Sequence, residues 1–220
     1  MSEPAARLRL FLCGQREFGA RVLRLAAAMG HELVGCCCPA SNSRGDSTDR
    51  MREAANTFGV PCIESGTLTH DVLPDGVDAI VAAHSHDFIG QRTRYRARYG
   101  AFGYHPSLLP RHRGRDAVRW TIRMGDPVAG GSVYWLNETM DGGPVAAQEW
   151  CWVYRDDTPE RLWRDRLFPI GLRLMESVLL DVPRHFALKQ PQDEAAATFE
   201  PAMNPPRAFR PDLLGLPPPR

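Results

Sequence analysis

The sequence has no excess of charge of either sign and no long hydrophobic run. Across its 220 residues, 27 Lys and Arg face 26 Asp and Glu, so the formal net charge is +1. Such a balance does not favour binding to nucleic acid or to an anionic membrane surface. No apolar run approaches the ~18 residues that a membrane span needs, and residues 8–13 are too short for the apolar region of a signal peptide. We therefore expect a soluble, cytoplasmic protein without nucleic-acid or membrane partners.

Metal-binding cysteine patterns are also lacking, although the chain has six cysteines. No Cys-x-x-Cys pair occurs. Cys36, Cys37 and Cys38 are consecutive, and neighbouring residues of an extended strand point to opposite faces, so we do not expect these three to converge on one metal ion. His84 and His86 would supply half of a metal site, but no third ligand is evident. The prediction is reduced, buried thiols and no metal.

Motifs for nucleotide cofactors are absent as well. Gly14 and Gly19 follow the first apolar run, but a dinucleotide site needs three glycines as G-x-G-x-x-G, and a P-loop needs a following Lys-Ser/Thr pair. We expect a simple strand-to-helix turn at this position, and neither NAD nor ATP as a cofactor.

Short apolar runs alternate with amphipathic segments in the first half of the chain. The runs predict strands at residues 8–13, 32–38, 60–63, 79–83 and 101–104. Helical patterns lie between them at residues 18–29, 51–58 and 91–98. Strands that are apolar on both faces and alternate with helices are typical of a parallel sheet covered by helices. The sequence therefore predicts an α/β fold.

The second half of the chain changes pattern. Residues 131–136 and 145–153 alternate like antiparallel strands, and a long helix is predicted over residues 162–180. Beyond residue 190 the chain is rich in proline and loses periodicity. We predict one catalytic domain over residues 1–190 and a tail, residues 191–220, that packs on it.

The stretch HPSLLPRHRG, residues 105–114, carries most of the chemical information. His105 directly follows a predicted strand, at the edge where open α/β sheets bind ligands, and a histidine can act as acid or base near neutral pH. Asp141 lies in a Gly-rich turn, and a carboxylate beside an imidazole fixes its tautomer and raises its basicity. Spacing alone leaves open whether the two meet, the alternatives being a packing histidine and a turn-forming aspartate.

Two segments resemble the formyltransferases that use 10-formyltetrahydrofolate. They are GYHPSLLPRHRG, residues 103–114, and GDPVAGGSVYWLNETMDGGPVAAQ, residues 125–148. With GQREFG at 14–19 and RLFPIGLRLM at 166–175, the sequence most resembles the amino-terminal formyl-hydrolase domain of 10-formyltetrahydrofolate dehydrogenase, over roughly residues 8–182. The resemblance implies a Rossmann-like, mostly parallel twisted sheet flanked by helices, with an antiparallel portion near the C-terminal half. It also implies 10-formyltetrahydrofolate as the co-substrate.

The resemblance further implies roles for named residues. His105 and Asp141 match the catalytic histidine and aspartate of the family. The family's Asn, whose amide donates to the formyl oxygen, falls on Gly103, and losing one such donor typically costs on the order of 10²–10³ in rate. Pterin contacts are implied for two loops, which contribute His86, Asp87, Phe88 and Ile89 in one and Glu138, Thr139 and Met140 in the other. Arg113 and Arg115 either bind an anionic acceptor or the folate glutamate tail, or form a solvated face.

The expected reaction is formyl transfer from 10-formyltetrahydrofolate to an amine of a small-molecule acceptor, with His105 and Asp141 as the acid/base pair. The alternatives are hydrolysis to formate and tetrahydrofolate, or a catalytically weak folate-binding protein, because Gly103 replaces Asn. Formylation of methionyl-tRNA is disfavoured, since those enzymes carry a further basic C-terminal domain. Purine synthesis is disfavoured because residues 14–19 lack the Gly-x-Gly-Ser-Asn phosphate loop. A monomer or a homodimer is expected.

Overall fold

A seven-stranded sheet lies at the centre of the computed structural model, which describes residues 7–42, 45, 47–184 and 187–203. The strands are β1 (Arg9–Gly14), β2 (Glu32–Cys37), β3 (Cys62–Ile63), β4 (Ala79–Ala83), β5 (Ala101–His105), β6 (Val128–Trp135) and β7 (Val145–Trp152). Their order is β3-β2-β1-β4-β5-β6-β7; the first five are parallel, and β6 and β7 are antiparallel to their neighbours. The predicted α/β fold with an antiparallel portion near the C-terminal half is confirmed.

Helices and loops bury both faces of this sheet. The helices are α1 (Arg16–Ala28), α2 (Arg50–Thr57), α3 (Gln91–Arg96), α4 (Ala117–Met124), α5 (Pro159–Leu162) and α6 (Phe168–Asp181). In β1, Leu10 and Leu12 belong to the core beneath α1, α2 and α6, whereas Phe11 and Cys13 belong to a second apolar cluster on the opposite face. Burial on both sides explains why the parallel strands read as uninterrupted apolar runs.

Helix α1 begins at Arg16, earlier than the sequence pattern predicts. The buried Asp49 carboxylate accepts the backbone N–H of Arg16 at 3.0 Å and that of Met51 at 2.9 Å, so one side chain caps the first turns of both α1 and α2. The cap of α1 comes from a residue 33 positions away, which a local pattern does not reveal.

The predicted helix over residues 162–180 is interrupted. A π-helical turn, Trp163–Leu167, separates α5 from α6. Pro169 lies in the first turn of α6, has no N–H to donate, and its ring clashes with the carbonyl four residues earlier in a regular α-helix. The chain accommodates the proline by widening the preceding turn.

Residues 187–203, the C-terminal segment, run back along the loop that follows β5. The Thr198 hydroxyl accepts the His112 N–H at 2.8 Å, and the Thr198 carbonyl accepts the Arg113 N–H at 3.0 Å. The domain boundary at residue 190 stays a prediction, and residues 204–220 of the expected tail lie outside the described residues. Within the described parts of the chain, no helix combines the length and apolar composition needed to cross a membrane.

Candidate active site

His105 ends β5 at the carboxyl edge of the parallel strands and is 7% exposed. Its Nε2 lies 2.7 Å from the backbone carbonyl of His112. A carbonyl only accepts hydrogen bonds, so Nε2 must carry a hydrogen and donate it. Nδ1 is therefore the ring atom left to exchange a proton, and it lies 3.7 Å from Oδ2 of Asp141.

Asp141 is held on several sides by groups from other elements. Its Oδ1 accepts the Tyr134 hydroxyl at 2.6 Å, and its Oδ2 accepts the Gly114 N–H at 2.7 Å. Burial raises the pKa of the Tyr134 phenol well above its ordinary value, and the Asp141 charge raises it further, so the hydroxyl remains a donor. The structure thus brings together the two predicted catalytic residues, His105 and Asp141.

Asp141 itself adopts a left-handed backbone conformation, with φ of 52°. Aspartate tolerates this region better than most non-glycine residues, but the conformation still needs support from its surroundings. The Gln192 side-chain amide supplies it, donating to the carbonyl of Asp141 at 2.8 Å and to that of Gly143 at 2.6 Å. The C-terminal segment therefore helps to hold the candidate catalytic carboxylate.

Gly103 lies on the same face of β5 as His105, where the resemblance implies an Asn in the family. A Cβ at this position would lie 2.9 Å from the Cβ of Ala82 and 3.0 Å from its carbonyl oxygen. Strands β4 and β5 therefore approach more closely here than a side chain permits. The close packing of these two strands therefore requires glycine at position 103 and leaves no room for Asn.

The loop after β4 carries His86, Asp87, Phe88 and Ile89. Asp87 faces inward: its carboxylate accepts the Gly66 N–H at 2.7 Å and the Ser85 hydroxyl at 3.2 Å. Phe88 is 79% exposed, whereas Ile89 is buried in the core. Of the four predicted pterin contacts in this loop, Phe88 offers a free apolar surface and Asp87 shapes the backbone.

The loop after β6 carries Glu138, Thr139 and Met140, and Met140 is 58% exposed. Buried Arg94 of α3 joins the two loops, since its guanidinium donates to the carbonyl of Ile89 at 2.6 Å and to Glu138 at 2.8 Å. The exposed apolar side chains Phe88 and Met140 therefore lie on two loops that are joined by the hydrogen bonds of Arg94. Such a pair of surfaces suits a flat, partly apolar ligand.

The two predicted substrate-binding arginines have different surroundings. The Arg113 guanidinium is buried, donates to Glu194 and Gln192 of the C-terminal segment, and has its pKa raised by the Glu194 hydrogen bond. Arg115 is exposed, and no residue of the described ranges forms an ion pair with it. Arg113 thus already has a partner within the chain, whereas Arg115 is available to an anion.

Arg115 and Arg16, an exposed arginine at the start of α1, both act electrostatically on His86. Burial lowers the pKa of His86, and the positive charges of Arg115 and Arg16 lower it further. Burial and the same Arg16 charge lower the pKa of His84 to about 4. The Asp87 and Asp116 carboxylates oppose this effect at His86, but burial and the two arginines outweigh them, so the histidines on this rim beside the His105–Asp141 pair stay neutral.

The cysteines depart in part from the sequence prediction. Cys36 and Cys38 are two residues apart and share a face of the sheet, and the Cys62 side chain of β3 points to the same place. The three sulfur atoms lie within 4.8 Å of one another. Cys37 lies on the opposite face, so the three consecutive cysteines do not converge, as expected. It was not foreseen from the sequence that Cys36 and Cys38, as residues i and i+2, share a face and meet Cys62 there.

Sequence reasoning missed three residues that build the site: Tyr134, Arg94 and Gln192. Tyr134 reads as an ordinary position of an alternating strand, and Arg94 as one of several arginines in α3. Gln192 lies beyond the predicted boundary of the catalytic domain. Their roles depend on contacts across 7, 44 and 51 positions of the chain, which a single sequence does not encode as a local signal.

Comparison with known proteins confirms the family resemblance predicted from the sequence. The family model described as formyl transferase matches residues 64–175. The mitochondrial 10-formyltetrahydrofolate dehydrogenase of Mus musculus is 33% identical over 205 residues, covering 88% of this chain and 22% of that protein. The chain belongs to the formyl transferase family. It spans about a fifth of the length of this relative.

Solved structures share the fold. Phosphoribosylglycinamide formyltransferase from Bacillus halodurans matches with a TM-score of 0.65 and 20% identity, covering 79% of this chain and 94% of that one. An N-formyltransferase from Helicobacter canadensis, solved with folinic acid and dTDP-3-aminofucose, matches with a TM-score of 0.72 and 13% identity over 88% of this chain and 70% of that one. At these identities the similarity establishes the fold alone.

Proposed function

We propose that the protein binds 10-formyltetrahydrofolate and transfers its formyl group to an amine of a small anionic acceptor. The observation that carries the proposal is the His105–Asp141 pair at the carboxyl edge of the sheet. Membership of the formyl transferase family supports the choice of the formyl donor.

The arrangement of His105 provides the acid and base chemistry. The acceptor amine attacks the formyl carbon, forming a C–N bond and a tetrahedral oxyanion. With Nε2–H held by the carbonyl of His112, a protonated Nδ1 donates to that oxyanion and then gives its proton to the departing folate nitrogen as the old C–N bond breaks. Asp141, 3.7 Å from Nδ1, stabilises the imidazolium and helps to take up the proton lost by the amine.

The two tied loops supply the binding surface for the folate. Phe88 and Met140 are exposed apolar side chains on these loops, Met140 directly precedes Asp141 in the chain, and Arg94 joins the loops by its hydrogen bonds to Ile89 and Glu138. Apolar walls with polar backbone groups suit a pterin ring, which is flat and carries hydrogen-bonding atoms at its edge.

The acceptor class follows from charge. Arg16 and Arg115 are exposed, are close enough to His86 to affect its pKa, and form no ion pair with any residue of the described ranges. Guanidinium groups recognise phosphate and carboxylate by paired hydrogen bonds. An amine that also carries a phosphate or carboxylate is therefore the acceptor that the rim favours.

Hydrolysis is the second candidate, because the same pair can serve it when no acceptor is bound. Gly103 offers the oxyanion no side-chain donor, so the oxyanion depends on the His105 imidazolium, and a water that reaches the formyl carbon in place of the amine is itself a nucleophile. The same His105–Asp141 pair would then release formate and tetrahydrofolate.

Folate binding is tested by titrating the protein with 5-formyltetrahydrofolate in a calorimeter. This isomer carries its formyl group on a different nitrogen and reports binding without turnover. We expect Phe88→Ala to weaken binding by roughly 10- to 100-fold, because an exposed aromatic ring that becomes covered contributes about 1.5–3 kcal/mol.

Phe58→Ala is the matched control, since Phe58 is also exposed but lies at the end of α2. If the wild-type protein and Phe88→Ala bind 5-formyltetrahydrofolate equally tightly, the folate does not bind between the two loops as proposed. No binding by the wild-type protein would remove the folate assignment.

A further inference from the structure

Three cysteines converge on one face of the sheet: Cys36 on β2, Cys38 directly after β2, and Cys62 on β3. Cys36 of β2 is the register partner of Cys62 of β3, and Cys38 follows two positions after Cys36 on the same face. The sulfur of Cys36 lies 2.9 Å from that of Cys62 and 4.0 Å from that of Cys38. Cys36 and Cys38 are completely buried, whereas Cys62 is partly exposed.

The separations suit three thiolates around one ion. With metal–sulfur bonds of about 2.3 Å, three sulfurs in a trigonal arrangement lie roughly 4 Å apart. The Cys36–Cys38 pair already has this spacing, and the Cys36–Cys62 pair reaches it when the partly exposed Cys62 side chain moves outward by about 1 Å. The ion would enter from the side of Cys62.

A positive charge lies beside the cluster. The Arg52 guanidinium donates to the carbonyl of Cys38 at 2.8 Å and to that of Pro39 at 3.0 Å, and it is 20% exposed. Three thiolates carry three negative charges, which a monovalent or divalent ion neutralises only in part. Arg52, which also forms an ion pair with Glu64 at 3.0 Å, offsets a part of the remainder without occupying a ligand position.

We propose that Cys36, Cys38 and Cys62 bind one thiophilic metal ion of low coordination number, of the class represented by Cu(I). Thiolate sulfur selects soft ions, and structural zinc sites take four protein ligands, whereas the described residues supply three here. The site is separate from the His105–Asp141 pair and does not depend on the proposed formyl transfer. A bound ion would join the two-residue strand β3 to β2.

The other three cysteines lie outside this cluster. Cys13 and Cys37 belong to the apolar cluster on the opposite face of the sheet, and Cys151 lies on β7. A bound ion should therefore protect Cys62, the partly exposed member of the cluster, from a thiol-reactive reagent, while Cys151 stays as reactive as in the metal-free protein.

The test titrates reduced, oxygen-free protein with Cu(I) in the presence of bathocuproine disulfonate as competing chelator. Cd(II) serves as a second probe through its thiolate charge-transfer absorbance. We expect saturation at one ion per chain. Cys36→Ser and Cys62→Ser should lose more affinity than the roughly 10- to 100-fold that removal of a supporting group costs.

Cys151→Ser is the matched control and should bind as the wild-type protein does. Cys62→Ala, at a partly exposed position, keeps the test valid if Cys36→Ser does not fold. Absence of saturable binding to the reduced wild-type protein overturns the proposal, as does binding that survives loss of Cys62. Formation of a Cys36–Cys62 disulfide in air, without metal binding under reducing conditions, overturns it too.

Discussion

Tyr134 and Gly114 fix the Asp141 carboxylate from two directions, and this makes Tyr134 a positioning residue for the proposed reaction. Its hydroxyl contacts Asp141 rather than His105. Its contribution is the orientation of the carboxylate toward Nδ1 of His105. Because burial keeps the phenol protonated, the donor persists across the working pH range.

Tyr134→Phe removes this donor and keeps the ring. A hydrogen bond to a charged group contributes about 1.5–3 kcal/mol, so we expect kcat to fall by roughly 10- to 100-fold while KM for the folate changes little. Steady-state kinetics separate the two constants. Tyr154→Phe, at an exposed tyrosine after β7, should leave both unchanged, and a KM effect alone in Tyr134→Phe would contradict the positioning role.

His84, on the rim of the site, makes the free energy of unfolding depend on pH. Burial and the nearby positive charge of Arg16 lower its pKa from 6.5 to about 4 in the folded protein. Between these values the unfolded chain binds more protons than the folded one, so the free energy of unfolding falls as the pH drops through this window. Above pH 6.5 the penalty is absent.

We expect a loss of about 2 kcal/mol between pH 7 and pH 5 from this one histidine, measured by urea unfolding at each pH. His84→Asn should reduce the pH dependence, since Asn tolerates the left-handed backbone that His84 adopts, with φ of 60°. His70→Asn, at a half-exposed position, is the control. An unchanged pH dependence in His84→Asn would show that His84 is not the group responsible.

At the scale of elements, the C-terminal segment is part of the architecture of the site. Its backbone pairs with the loop after β5 through Thr198, and Gln192 reaches the loop that carries Asp141. Glu200 lies 3.2 Å from Nδ1 of buried His112, the residue whose carbonyl orients His105. The segment that the sequence analysis describes as a tail thus contacts the loop that follows His105 and the loop that carries Asp141.

Gln192→Ala tests this contribution. Loss of two hydrogen bonds to the carbonyls of Asp141 and Gly143 should free the Asp141 loop, lower kcat by about tenfold and speed amide exchange at residues 141–143. Gln190→Ala is the control, because Gln190 pairs with Val145 through backbone atoms. Amide exchange identical to that of the wild-type protein would contradict the support role.

The elements differ in how well the sequence predicts them. Strand β1 and helix α1 follow from apolar periodicity, since burial on two faces or on one stripe leaves a direct trace in composition. The start of α1 depends on Asp49, and the break between α5 and α6 depends on how a helix accommodates Pro169; neither is visible in a periodic pattern. His105 and Asp141 were recognisable through their motifs, whereas Tyr134, Arg94 and Gln192 act through tertiary contacts that the motifs do not contain.

At the scale of the whole molecule, the sheet brings distant segments to one edge. The ends of β1, β4 and β5 carry Arg16, His84 and His105 to the same side, because parallel strands end together. The antiparallel pair β6–β7 then returns Asp141 to His105 across 36 positions. A charged rim, two tied apolar loops and an acid/base pair therefore adjoin one another in a single fold.

The most direct measurement follows tetrahydrofolate release by absorbance after 10-formyltetrahydrofolate is mixed with the protein, with and without amines that carry phosphate or carboxylate groups. The account predicts conversion by the wild-type protein, faster with the right acceptor, and a loss of about 10²–10⁴-fold in His105→Ala with His70→Ala unaffected. Conversion without any acceptor would assign the hydrolase activity to the same pair. Conversion by His105→Ala at the wild-type rate, or no conversion under any of these conditions, would contradict the account.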